Sequence, residues 1–139
     1  MGKGRNRRGR LIYPKHVISP HDLLNFIELK WFTRDWDALK LADEELGSLQ
    51  VAIMCDPKGS PVIQGTSGLR KLRYSPDGWA VGKRGALRIC YVYFERFYMV
   101  LLAIVYKKGE QDYLPEASKL AINSAISRIE AELEKRFED

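Results

Sequence analysis

Between Ile63 and Lys108 the chain carries nine Lys and Arg (positions 70, 71, 73, 83, 84, 88, 96, 107 and 108) against two acids, Asp77 and Glu95, a net charge of +7. The whole chain of 139 residues is only +5, and segments 17–62 and 109–139 each net −4 from four bases and eight acids. The positive charge is therefore concentrated in one stretch, and a surface so charged attracts a polyanion. Arginine stays charged, and its planar fork can span two phosphate oxygens. A lysine crowded by other cations is pushed toward its neutral form, so Lys71, Lys83, Lys107 or Lys108 could serve as base or acid near neutral pH. RNA supplies its own nucleophile, the 2′-hydroxyl, so cleavage needs only positioning, charge and proton transfer from such a cluster. Passive phosphate binding is the other reading, and composition alone favours it.

Other chemistries find little support in the sequence. His16 and His21 are five apart, and no Cys or carboxylate spacing beside them suggests a metal site. Neither GxGxxG, a Walker loop nor Gly-x-Ser-x-Gly occurs, and no cofactor is expected. Cys55 and Cys90 lack CxxC spacing, which suits reduced, buried thiols in the cytoplasm. Met1–Arg10 has no apolar run after its charges, and Phe97–Tyr106 is about half the length of a membrane helix, so neither export nor a membrane partner is expected.

The elements that must position the basic residues follow from periodicity. Leu69–Tyr74 alternates, with Lys71 and Arg73 on one face and Arg70, Leu72 and Tyr74 on the other. Ala86–Phe94 reads as the next strand, with Leu87, Ile89, Tyr91 and Tyr93 on one face and Arg88 on the opposite one. Ser75–Gly85, rich in glycine, forms a long loop between them that displays Trp79, Lys83 and Arg84. A tight turn at Glu95-Arg96 leads into Phe97–Tyr106, apolar on both faces as a central strand should be. Before this block come a short strand at Asn25–Leu29, one or two helical turns with Phe32 and Trp36 stacked, and a helix over Asp43–Cys55. The last helix starts near Pro115 and runs to about Phe137 on a stripe of Ile122, Ile126, Ile129, Leu133 and Phe137. The fold class expected is α+β: a small twisted, mainly antiparallel sheet, an N-terminal helical hairpin and a C-terminal helix. Helices on one side of the sheet would leave the other side for Lys71, Arg73 and Arg88. Residues 1–20, with six Lys and Arg by Lys15 and no acid before Asp22, read as a basic flexible arm, and 21–139 as one domain.

The string Val62-Ile63-Gln64-Gly65-Thr66-Ser67-Gly68-Leu69-Arg70-Lys71-Leu72-Arg73, then Gly82-Lys83-Arg84-Gly85-x-x-Arg88-Ile89-x-Tyr91, resembles the RelE/ParE toxin superfamily and specifically its HigB-like branch. Val105-Tyr106-Lys107-Lys108-Gly109-Glu110-Gln111-Asp112 is similar to the segment closing the last strand of that family. The resemblance runs from about Asn25 to Phe137. It implies a RelE-like fold and the toxin half of a bacterial toxin–antitoxin pair, acting on mRNA in the ribosome without a metal.

By the same resemblance, Lys71 and Arg73 match the basic pair from which one member takes the 2′-hydroxyl proton. Arg88 matches the arginine that steadies the transition-state phosphate, and Lys108 the basic site facing the leaving oxygen. Lys83, Arg84 and Lys107 would grip mRNA or ribosomal RNA, the 16S rRNA included, and Tyr113 lies near the tyrosine that some relatives use to position a base. Arg70 counts with the RNA-binding residues; its face also allows a structural pair with an acid such as Glu110. The expected partners are ribosome-bound mRNA and a cognate antitoxin. A ParE-like DNA gyrase inhibitor and an inactive RNA-binding module are the alternatives.

Overall fold

The computed structural model describes residues 23–76, 87–107 and 116–137. Of the expectations above, those for the arm 1–20, Trp79, Lys83, Arg84, Lys108, Tyr113 and the helix start at Pro115 lie outside the described residues. Chain order is β1 (Asn25–Glu28), α1 (Lys30–Ala38), α2 (Asp43–Cys55), β2 (Arg70–Tyr74), β3 (Leu87–Phe94), β4 (Met99–Lys107) and α3 (Glu116–Arg136), with a 3₁₀ turn at Glu95–Phe97. The four strands form one sheet in the order β1-β4-β3-β2. β1 runs parallel to β4, and the other two pairings are antiparallel. This is the mainly antiparallel α+β arrangement expected from the sequence.

Helix α1 begins without a side-chain cap. What holds it is burial of Phe32 (0% exposed) and Trp36 (4%), whose rings stack at 5.8 Å. Each such side chain contributes roughly 1.5–3 kcal/mol, more than the ~1 kcal/mol of a good cap. The start of α2 is secured differently. Asp43, Glu44 and Glu45 occupy its first turn, and the Glu45 carboxylate accepts the Ala42 N–H at 2.6 Å.

Helices cover both faces of the sheet, not one. Phe32, Trp36, Leu49 and Ile53 of α1 and α2 pack on the side that displays Leu87, Ile89 and Tyr91. Ile122, Ile126 and Leu133 of α3 pack on the opposite side, against Cys90, Val92, Phe94 and Leu101. The physical reason is plain in β3: Cys90, Val92 and Phe94, the alternating partners of Arg88, are themselves apolar and need a cover. The face expected to stay open is therefore roofed by α3 over much of its length. At the far end of the sheet α3 is tied to the 3₁₀ turn by Phe137 stacked on Phe97 (5.5 Å) and by the exposed Arg96–Glu134 pair (3.1 Å).

A bulge interrupts the β3–β4 ladder. Cys90 pairs with Ile104 but Tyr91 with Leu102, so Ala103 is the extra residue. β1 stops at the same level, with Glu28 opposite Leu102 and the Leu29 N–H donating to Leu102 O at 3.0 Å. From Ala103 to Lys107 no described strand pairs with the outer edge of β4.

Candidate functional site

The strand register brings three of the sequence-selected cations together. Lys71 is opposite Cys90, and Arg73 is opposite Arg88, which in turn is opposite Tyr106 of β4. Cys90 and Tyr106 pack with α3, whereas Leu72 and Tyr74 pack on the α1/α2 side, so alternation puts Lys71, Arg73 and Arg88 on the α3 side. The Cys90 thiol carries an electrostatic trace of this placement. Burial pushes it up to about 12, and the Lys71 ammonium pulls in the opposite direction. Arg73–Arg88–Tyr106 thus forms a row across β2, β3 and β4, with Lys71 one step along.

Exposure differs sharply along the row. Arg73 is exposed and Lys71 half-buried, but Arg88 retains only 7% of its surface. Its Nη1 is buried with no hydrogen-bond partner. Among the described residues the ion pairs are Arg34–Asp35, Lys58–Glu95 and Arg96–Glu134, none of which involves Lys71, Arg73 or Arg88. Two guanidinium groups directly opposite each other with no described acid between them repel. An anion bound across them would relieve that repulsion and take up the unpaired Arg88 donor.

Other candidates lie elsewhere. Arg70 faces away from Lys71 and Arg73, and its Nη1 donates to Lys58 O (3.0 Å) and Ser60 O (2.7 Å), holding the turn after α2. Tyr91, on the same side, donates to Pro57 O at 2.9 Å. The expected acid partner of Arg70, Glu110, lies outside the described residues. Lys107 is exposed at the end of β4 opposite Leu87, on the α1/α2 side by register. Tyr91 and Tyr106 are core aromatics at 1% and 8% exposure, as their sheet positions suggested.

Two positioning features escaped the sequence reading. Gly65-Thr66-Ser67-Gly68 is a turn, with Gly65 at φ +83° and Gly68 at φ +92°, in the left-handed region that favours glycine. Thr66 Oγ1 accepts from Leu69 N (3.1 Å) and donates to Ile63 O (2.6 Å). Asn123 of α3 clamps the same turn, accepting from Ser67 N (3.0 Å) and donating to Gly65 O (3.2 Å). The turn leads directly into β2, so α3 helps fix where Lys71 and Arg73 stand. A lone Asn on an amphipathic helix gives no such signal from sequence. The second feature is a cleft of about 610 Å³ beside Tyr106, where β4 passes between α1 and α3. Trp31 and Arg34 stand on its α1 wall, and Ser118 and Ala121 on its α3 wall.

No family model matches the chain. Among solved structures, the fold is similar to that of a mutant E. coli toxin RelE in the free state, at 18% identity and a TM-score of 0.46, covering 76% of this chain and 97% of that one. No described helix is long and apolar enough to cross a membrane.

Proposed function

We propose that this chain is the toxin of a toxin–antitoxin pair and an endoribonuclease that cuts mRNA on the ribosome, in the manner of the HigB-like branch. The observation that carries the proposal is the Arg73–Arg88 pair with Lys71 beside it, three cations on one sheet face with no ion pair among the described residues. The HigB-like motif resemblance supports the same reading. The neutral amine form of Lys71 accepts the 2′-hydroxyl proton, becoming the ammonium, and the 2′-oxygen attacks the adjacent phosphorus. Arg73 and Arg88 neutralise the non-bridging oxygens as negative charge gathers there. The bond from phosphorus to the 5′-oxygen breaks, and Lys108 protonates that oxygen. The products are a 2′,3′-cyclic phosphate and a 5′-hydroxyl end. Because Arg88 is 93% buried, its contact with phosphate requires a local shift of the side chains over it. The cognate antitoxin restrains the activity, and 16S rRNA supplies further contacts to the basic surface.

Induced expression in bacteria with primer extension of an abundant transcript tests the proposal. Codon-spaced cuts within minutes are expected. Intact transcripts together with arrested DNA replication would move the assignment to gyrase inhibition.

A further inference from the structure

From the cleft beside Tyr106 we infer a nucleobase site, which holds the base attached to the phosphate bound by Arg73 and Arg88. The inference rests on the RNA-cleaving reading and adds to it where the substrate's base is read. Tyr106 is the hinge of the inference, because it lines the cleft and is also the register partner of Arg88. Tyr106 on the cleft and Arg88 in the row are thus about one inter-strand spacing apart, roughly 5 Å at the backbone, comparable to the span of a ribose between its base and its phosphate. Both lie toward the α3 side of the sheet, since Trp31 and Ile104 on the cleft lining pack against the cluster that contains Tyr106 and Ile122.

The lining suits a planar, partly polar ring. Trp31 and Tyr106 supply aromatic surface on which any base can stack. The exposed Arg34–Asp35 pair (3.0 Å) presents donors and an acceptor at the mouth, and Ser118 adds a hydroxyl from α3. Trp31 Nε1 is buried without a hydrogen-bond partner, a donor that a base oxygen or ring nitrogen would satisfy after a small ring rotation. The volume of about 610 Å³ falls within the range of roughly 300–1,000 Å³ that accepts a small organic ligand, so one nucleoside fits. The bulge at Ala103 and the end of β1 at Glu28 open the cleft, so it is built into the sheet rather than left by a loop.

The test is an NMR titration of the full chain with inorganic phosphate and, separately, with the four nucleoside 3′-monophosphates, repeated on Ala121→Phe and Arg34→Ala. Ala121 is exposed on the cleft wall, so a phenylalanine there fills the space without entering the core. Phosphate is expected to shift Arg73 and Arg88 signals equally in wild type and Ala121→Phe. At least one nucleotide should also shift the Trp31 indole and Ser118, and should bind about tenfold more tightly than phosphate, the scale of one stacking contact. Ala121→Phe should abolish that tenfold advantage, and Arg34→Ala should alter the ranking among the four bases. A nucleotide that binds no better than phosphate, or an advantage that survives Ala121→Phe, overturns the inference. Wild type that binds neither phosphate nor nucleotide at the row fails the underlying RNA reading itself.

Discussion

Arg88→Met keeps an unbranched stem, somewhat shorter, and removes its charge, so most of the packing is separated from the electrostatics. In the wild-type fold Arg88 is 93% buried and its Nη1 has no partner. Leaving such a group unsatisfied costs about 1–3 kcal/mol. The facing Arg73 adds a few tenths to about 1 kcal/mol of cross-strand repulsion. Some packing is lost with the shorter side chain, so a net stabilisation of about 1–3 kcal/mol is expected. For a chain of this size that corresponds to a midpoint roughly 3–9 °C higher. The same change removes a transition-state donor, and cleavage should fall by about 10²–10³-fold. Urea and thermal unfolding measure the first effect, and single-turnover cleavage the second. The combination of a more stable and less active protein is the signature of a residue kept for function. If Arg88→Met is instead destabilised by a kilocalorie or more, Arg88 is a structural element of the sheet and the site has been read wrongly.

Arg73→Ala should change stability little, or raise it by up to about 1 kcal/mol, because it removes the cation facing Arg88. Its effect on RNA affinity should show as a salt dependence shallower by about 0.7 in log K against log salt, the value of one phosphate contact on a single strand, measured by filter binding from low to moderate salt. An unchanged slope would remove Arg73 from the interface. In alkali, burial holds the Cys90 thiol at about 12 in the folded state against an ordinary value of 9.0, so the unfolded chain ionises first. Stability should be flat below about pH 9 and fall between 9 and 12, by about 1.4 kcal/mol per pH unit from this group. The Tyr91 hydroxyl, also raised by burial, adds to the fall above pH 10. Urea unfolding at pH 8, 9 and 10 should show the loss in wild type and a flatter profile in Cys90→Ala; equal slopes would contradict the burial argument.

The helices and strands were largely legible because their signals are local. The acids that open α2 and the proline after it fix Asp43–Cys55, and the alternation in Leu69–Tyr74 separates Lys71 and Arg73 from Leu72 and Tyr74. That Lys71, Arg73 and Arg88 share a face also followed from alternation, since neither β2 nor the start of β3 is bulged before Cys90. What could not be read is non-local. β4 is apolar at every position from Met99 to Tyr106, so neither its bulge nor the end of the β1 pairing at Leu102 leaves a mark in the sequence. The cleft arises from those two features. The roof of α3 over the basic face is signalled only by the three apolar residues that share the Arg88 side of β3, and the charge of Arg88 opposes that signal. Arg70 looked like its basic neighbours, but its role depends on carbonyls ten and twelve residues upstream, which only the folded turn brings within reach.

The most direct measurement is single-turnover cleavage of end-labelled mRNA on programmed ribosomes, with the product ends identified. Wild type should give one cut in the occupied decoding site, with a 2′,3′-cyclic phosphate upstream and a 5′-hydroxyl downstream, and Arg88→Met should give about 10²–10³-fold less at saturating ribosomes. An Arg88→Met rate equal to wild type at saturation would contradict the account, as would intact mRNA in the wild-type reaction.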